Sequence, residues 1–441
     1  MHPISTKVSR RRFLGASALT AASLLTECVE PTAALGDEPV ADGARSPTSR
    51  LPRVAAINSI YRLRSHAYHI AGRFIHGYTR DDFHHQPPFQ LARMYNDQYP
   101  QDDMGRDVCA RHGIELSKTV AEALGMGAGA GGAGMLDVDA VLLIIEHGEY
   151  PLNEFRQIQY PRYELFAQIL DVLKKAGRSV PVFVDKHLSY DHQLAAKMVA
   201  ASRELKFGLM AGSSLPVTWC RPEIEPPLET PFREGLVCFG FERGTPEIYL
   251  FHALETLQCM LERRSHGETG VKSVTTLQGD AVWKAADEGH WSWKLLEAAL
   301  SRCPSNNTGP IRENVREPLA VLVEYRDGTR GAVLNLVEQV SDFGFAGSVT
   351  GRAEPFSTCF YLPSPPGARF FDTLTYNIEK LFATGKSPYP VERTLLTSTV
   401  LDLAMHSMHE QGRTMTGSAL EIEYQPPRDS GFFRGAYVDA G

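Results

Sequence analysis

The chain has 441 residues, 43% of them hydrophobic and 22% charged, with a formal net charge of −7. This length suits two or three domains, each able to bury its own core, and the composition is that of a globular protein. The acidic balance and the absence of any Lys/Arg run beyond Arg12 argue against nucleic acid as a partner. An acidic small molecule stays open, because a pocket can differ in charge from the whole.

The N-terminus reads as an address. In "SRRRFLGASALTAASLL", Ser9, Arg10 and Arg11 precede Phe13, Leu14 and a short apolar run, the pattern of a twin-arginine export signal. The run is too short to span a bilayer. Residues 1–36 are expected to be removed after Ala34-Leu35-Gly36, with the twin-arginine translocon as a transient partner and a periplasmic or extracytoplasmic destination. The alternative is lipidation at Cys28, although Glu27 stands where a lipobox takes a small residue. This route carries folded proteins, often already loaded with a cofactor or metal. The seven cysteines form no C-x-x-C pair, which argues against a zinc knuckle or disulfide framework. Cys109, Cys220, Cys238, Cys259, Cys303 and Cys359 read as small buried hydrophobes.

Residues 37–51 are polar and rich in Pro and Gly, a disordered tether. From residue 52 strands and helices alternate. Strands are predicted at Val54–Ile57, Leu91–Tyr95, Ala140–Ile145, Val180–Val184 and Phe207–Ala211. Helices are predicted at Asp103–His112, at Ser117–Leu124 with Ser117 as N-cap, and at Tyr160–Ala176. Continuous apolar strands such as "AVLLII" suit a parallel sheet buried on both faces. Residues 52–212 therefore read as a Rossmann-like, doubly wound α/β domain. The low-complexity segment 125–134 holds a literal G-x-G-x-x-G at Gly127, Gly129 and Gly132. It follows a helix and precedes a strand, the reverse of a phosphate loop, and reads as a flexible connection.

The texture changes after about residue 215. "PLAVLVEYRDGTRGAVLNLV" holds two alternating segments joined at Asp327-Gly328, a hairpin signal. Further strands are predicted at Lys272–Leu277, Gly344–Thr350 and Thr358–Leu362, and helices at Pro246–Arg263 and Val391–His409. Residues 213–425 thus read as an α+β domain with a large, mostly antiparallel sheet, followed by a tail over 426–441.

Several stretches carry candidate chemistry. "VAAINSIYRLRSHA", residues 54–67, lies where a strand would turn into the first helix. "LLIIEHGEYP" puts Glu146 and His147 at a strand tip, and "PVFVDKHLSYD" puts Asp185, Lys186 and His187 at another. Ligands of open α/β sheets gather at the carboxyl ends of strands, so these five residues share a rim. A lysine there can be tuned for proton transfer by desolvation. His252 and Glu255 are three apart on a predicted helix and share a face, so Glu255 is expected to orient the imidazole. The pairs His66/His69 and His406/His409 show the same spacing without an acidic cluster in sequence, and read as packing or surface residues.

These stretches, in this order, resemble the Gfo/Idh/MocA (glucose-fructose oxidoreductase / inositol dehydrogenase) family. Its opening motif G-x-G-x-x-G-x-x-H falls on Asn58, Ile60, Leu63 and His66: the histidine matches and all three glycines are missing. Asn58 tolerates the left-handed backbone of a tight turn. Ile60 sets a branched side chain where the pyrophosphate should approach. Asp97 in "MYNDQYP" takes the place of the ribose-binding acid. It comes later than the usual ~20 residues, after an insertion, "FIHGYTRDDFHHQPPFQ". Asp185, Lys186 and His187 fall on the E-K-P positions, whose lysine reaches the nicotinamide and the reacting hydroxyl. His252 and Glu255 fall on the histidine and last acid of D-x-G-x-H-x-x-D, with Ile248 where the first Asp belongs. "PVERTLLTSTVLDLAMHSMHEQG" resembles the closing helix that returns to the first domain.

The resemblance implies an oxidoreductase acting on a sugar or cyclitol hydroxyl with NAD or NADP. The cofactor would meet Asn58, Ile60, Asp97, Glu146, His147, Asp185 and Lys186. Catalysis would fall to Lys186, His252, Glu255 and His187. An exposed face on the second sheet would make a homo-oligomer the expectation. The missing glycines keep two rivals in play. One is a cofactor-independent carbohydrate lyase or isomerase, with a divalent metal held by Glu146, His147, His187 and His252. The other is a non-catalytic binding protein.

Overall fold

The computed structural model describes residues 50–81, 83–126, 136–241, 245–363 and 367–434. The export signal, Cys28, nearly all of the tether, and Gly127, Gly129 and Gly132 lie outside them.

The chain opens with β1 (Arg53–Asn58), α1 (His66–His76) and a short hairpin, β2 (Tyr78–Arg80) and β3 (Phe83–His85). It continues with β4 (Gln90–Asn96), α2 (Gly105–His112), β5 (Glu115–Leu116), α3 (Val120–Ala123), β6 (Ala140–Ile144), α4 (Arg162–Ala176), β7 (Val182–Asp185), α5 (His192–Glu204) and β8 (Leu209–Gly212). Six of these strands form one sheet in the order β5-β4-β1-β6-β7-β8, parallel throughout. That is the order of a dinucleotide-binding sheet, with its switch point between β1 and β6. The inner strands are apolar because both faces are covered. Val54, Ala56, Leu142 and Phe183 face one core, and Ala55, Ile57, Val141 and Val184 the other.

The second half runs β9 (Trp219–Arg221), β10 (Phe232–Phe239), α6 (Glu247–Leu261), β11 (Val271–Gln278), α7 (Asp280–Asp287), α8 (Trp293–Leu300), α9 (Ile311–Asn314), β12 (Leu319–Tyr325), β13 (Arg330–Asn335), β14 (Phe343–Val349), β15 (Phe356–Tyr361), α10 (Phe370–Thr384) and α11 (Val391–His409). Its seven strands form a sheet in the order β11-β12-β13-β10-β14-β15-β9. Only β10 and β13 run parallel; the other neighbours are antiparallel. The turn between β12 and β13 follows its chemistry. Gly328 takes φ 87°, and Asp327 Oδ1 accepts the Thr329 amide at 2.9 Å. The expected fold class, a Rossmann-like parallel sheet followed by an α+β domain with a mostly antiparallel sheet, is the one observed.

Three details differ from expectation. Thr119, not Ser117, caps α3, its hydroxyl accepting the Glu122 amide at 3.1 Å. The first sheet borrows α10, which packs beside α1 through Phe371, Leu374 and Ile378. Each such fully buried side chain contributes about 1.5–3 kcal/mol by leaving water. Among the described residues, helices lie on both faces of the second sheet. Helices α6 and α11 cover one side, and α7 and α8 cover the other with Val282, Trp283, Leu295, Leu296 and Leu300. Helix α11 does reach the first sheet: Thr394 Oγ1 donates to Ala211 O at 2.7 Å, and Ser398 Oγ accepts the Leu188 amide at 3.1 Å.

Candidate functional site at the strand tips

The rim at the carboxyl ends of the first sheet has two halves. At the tips of β6 and β7 the backbone turns sharply. His147 and Lys186 take φ 68° and 60°, a conformation non-glycine residues hold only where the surroundings enforce it. The Lys186 amide donates to Gly212 O at 3.2 Å, which aims the side chain across the rim. Its ammonium bonds Glu146 Oε1 at 2.9 Å and the Ile248 carbonyl of α6 at 3.3 Å. Glu146 Oε2 takes Arg162 Nη2 at 2.7 Å. Arg162 Nη1 lies 3.1 Å from His187 Nε2, and that nitrogen is 3.5 Å from Glu247 Oε1.

This network is buried. Arg162 is 0% exposed and Lys186 2%. Burial alone would raise the Glu146 pKa, but Lys186 and Arg162 outweigh it and hold the carboxyl well below its usual range. Burial, then the Arg162 and Lys186 charges, hold His187 well below an ordinary histidine. The same causes, burial first and then Lys186, act on His252. Burial pushes Glu247 up to about 7, with Glu146 adding to it. The site thus keeps neutral imidazoles beside a fixed ion triad, and a carboxyl poised near neutral pH. It also holds buried polar atoms with no hydrogen-bond partner: Nδ1 of His147, His187 and His252, Oε1 of Glu247 and Oδ1 of Asp185. Buried polar atoms are normally satisfied, so their occurrence together on one rim singles it out as the candidate site.

The structure brings together Glu146, Lys186, His187 and the first turns of α6 as the sequence suggested. It also corrects three expectations. Glu255 does not orient His252: its carboxylate takes the Ser213 amide at 3.0 Å and hydroxyl at 2.5 Å, while His252 Nδ1 has no partner. Burial raises Glu255 to about 7 against those bonds. Glu146, His147, His187 and His252 do not form a metal centre. Among the described residues, convergent ligand sets occur only at Cys303, Asp342 and Cys359 and at Asp191, His192 and Asp402, and both Glu146 oxygens are engaged by cations. Finally, His66 is not mere packing. Its Nδ1 lies 2.6 Å from Asp185 Oδ2, and its ring meets His147 edge-on at 5.2 Å. His69 does pack, stacked on Phe371 at 4.9 Å. His406 lies 3.3 Å from Asp402 Oδ1 and stacks on Phe155 at 3.6 Å.

Arg162 escaped the sequence reading. Its one signal was position: a cation at the first residue of a helix opposes the macrodipole and calls for a local anion, here Glu146.

The other half of the rim is where a dinucleotide would lie, and its residues do not make the ordinary seat. Helix α1 begins only at His66, so Asn58, Ile60 and Leu63 all precede it. Ser65 Oγ accepts the Tyr68 amide at 3.1 Å, satisfying an N–H that a phosphate would otherwise use. Ile60 is buried, 3% exposed, and fills space that a glycine would leave open. Asn58 donates from Nδ2 to Asn96 Oδ1 at 3.0 Å, closing on the neighbouring strand tip. Beyond them the loops after β4 and β6 clasp each other across β1. Gln98 Nε2 donates to Glu149 O at 3.0 Å and Gln98 Oε1 accepts the Glu149 amide at 2.9 Å. Tyr150 Oη donates to Asp97 Oδ2 at 2.8 Å. Asp97, at the position of the ribose-binding acid, is exposed.

No protein-family model and no curated protein matches the sequence. Solved structures do share the fold. GenD2 from gentamicin A biosynthesis, in complex with NAD, is 13% identical with a TM-score of 0.53, over 85% of this chain and 98% of that one. A myo-inositol dehydrogenase from Lactobacillus casei, in complex with NAD(H) and myo-inositol, is 11% identical with a TM-score of 0.51, over 84% and 97%. A probable dehydrogenase from Thermotoga maritima is 13% identical with a TM-score of 0.50, over 84% and 100%. The likeness is one of fold along nearly the whole length of those chains.

Proposed function

We propose that the rim of β6, β7 and α6 is an acid–base site for a small polyhydroxylated molecule, a sugar or cyclitol, on the scaffold of an NAD(P)-linked oxidoreductase. The observation that carries this is the presence of unsatisfied buried atoms of His147, His187, His252 and Glu247 on the same rim as the Lys186–Glu146–Arg162 triad. A polyol presents several hydroxyls that both donate and accept, which is the complement such a set needs. Lys186, held by Glu146, is oriented to donate a hydrogen bond to a substrate oxygen. His252, kept neutral, can accept a proton from a hydroxyl, and Glu247 near pH 7 can return one. In the fold's dehydrogenases, NAD(P) supplies hydride transfer next to such a pair. The strand order and the register of Lys186 and His252 support that reading here.

The bonded loops after β4 and β6 and the glycine-free turn favour the second reading, a cofactor-independent isomerase or lyase acting by proton transfer alone. The N-terminal pattern supports export by the twin-arginine route under either reading. One measurement separates the two. The purified chain is assayed for released nicotinamide dinucleotide, then titrated calorimetrically with NAD+ and NADP+. Stoichiometric or saturable nucleotide establishes the oxidoreductase reading and sinks the second; no nucleotide and no binding heat does the reverse. Unchanged turnover in Lys186→Ala, once a substrate is in hand, removes that lysine from either mechanism.

A further inference from the structure

Two convergent ligand sets lie away from the rim among the described residues. At Asp191, His192 and Asp402 the groups bond mainly to one another and to the start of α5, whereas in the other set the one bond from a thiol to the backbone is Cys303 Sγ to Ala299 O at 3.4 Å. Asp402 bonds His192, His406 and Gln157, and Asp191 caps α5 through two amides. That set is a satisfied polar joint.

The other set lies on the far face of the second sheet from α6. Cys238, Gly344 and Cys359 sit side by side across β10, β14 and β15, so their side-chain directions share one face. The middle position has no side chain. A Cβ there would come within 2.6 Å of Cys303 Sγ and 3.0 Å of Cys238 Sγ, so the glycine makes room for the thiol that arrives from the end of α8. Asp342, just before β14, brings its carboxylate to the same point. The sulfurs of Cys303 and Cys359 and a carboxylate oxygen of Asp342 all lie within 4.8 Å of one another. Both cysteines are buried, at 6% and 1%, and Asp342 is half-buried. The carboxylate is held from behind: Ser305 donates its amide at 2.8 Å and its hydroxyl at 2.5 Å to one oxygen, Oδ2, and the Ser341 amide in turn bonds that hydroxyl. Supporting bonds of this kind orient metal ligands.

We propose that Cys303, Cys359 and Asp342 form a binding site for a thiophilic divalent cation of the zinc type, on the face of the second sheet opposite α6. Tetrahedral zinc takes sulfur at ~2.3 Å and carboxylate oxygen at ~2.1 Å, which sets donors about 3.5–4 Å apart. The set needs only a small contraction to reach this. Binding converts two thiols to thiolates and releases two protons while the carboxylate joins as an anion. The cation would tie the end of α8 to β14 and β15. Its place apart from the rim makes it independent of the reaction proposed there.

The test uses the full-length chain, purified without chelator, and reads its zinc content by plasma mass spectrometry. The metal is then stripped and replaced by titration with Co2+. One equivalent of metal and a near-ultraviolet thiolate-to-cobalt absorption are expected. Cys359→Ser should abolish that absorption. Asp342→Asn, at a half-buried position where folding is not at stake, should weaken Co2+ binding by about tenfold or more. The proposal is overturned by sub-stoichiometric zinc with no cobalt absorption, by a Cys303–Cys359 disulfide in the purified chain, or by unchanged Co2+ affinity in Asp342→Asn.

Discussion

The two halves of the rim sit on neighbouring strands of one sheet and have opposite characters. Around β1 and β4 most polar groups pair within the protein: Ser65 caps its own helix, Gln98 clasps Glu149 and Tyr150 holds Asp97, and the atoms left over are the neutral amide atoms Asn58 Oδ1 and Asn96 Nδ2. Around β6, β7 and α6 charge is concentrated and incompletely paired, with imidazole and carboxyl atoms left over. A sheet edge positions whatever its tip residues offer. Here it offers neutral, mostly paired groups on one side and a charged cluster on the other, so shared topology does not imply shared chemistry.

The largest test breaks the charged half. Arg162→Met leaves Glu146 buried with one partner instead of two and removes the contact to His187. Breaking a buried ion pair this way costs about 3–5 kcal/mol, and urea unfolding at neutral pH should show that loss. A destabilisation under ~1 kcal/mol would mean the triad is better hydrated than its burial implies.

Next comes the pH dependence on the same side. Glu255 has its folded pKa raised to about 7 from 4.5, so between those values the folded state binds more protons than the unfolded one. Stability should therefore fall as pH rises from about 4.5 to 7 and level off above. Glu255→Gln keeps an acceptor for Ser213 and removes the titration. It should flatten that slope and stabilise the protein by ~1–3 kcal/mol at pH 8, seen as a higher melting temperature there and little change at pH 5. Glu146 works the other way. Its lowered pKa contributes stability above the unfolded carboxyl value, lost as pH falls through the folded one.

The quiet half should respond weakly. Ser65→Ala removes the α1 cap and should cost ~1 kcal/mol, without creating NAD+ binding in calorimetry, because Ile60 and the Gln98 clasp remain. Tyr150→Phe removes one of the two tyrosine bonds to exposed Asp97, leaving that from Tyr95, and should change stability by less than ~0.5 kcal/mol. If either variant gained saturable nucleotide binding, the contrast between the halves would be one of latching rather than of construction.

Much of this was legible in the sequence. Apolar runs such as "AVLLII" and the Asp327-Gly328 turn dictate local conformation, because burial on both faces and a left-handed turn residue each admit few alternatives. The missing glycines at Asn58, Ile60 and Leu63 likewise announced an altered phosphate loop. Helix α10 and the pair α7–α8 were not legible as covers for the two sheets, since an amphipathic stripe shows that a face is buried but not against what. The partners of the site were decided by tertiary structure alone. His66 meets Asp185, Arg162 meets Glu146, and Glu255 turns from its helical neighbour His252 to Ser213. Such pairs join residues far apart in the chain, and side-chain charge acts through space at distances no local pattern records. The sequence by itself determined which strand tips carry ionisable groups; only the fold decided which of those groups satisfy one another and which keep a buried atom without a partner.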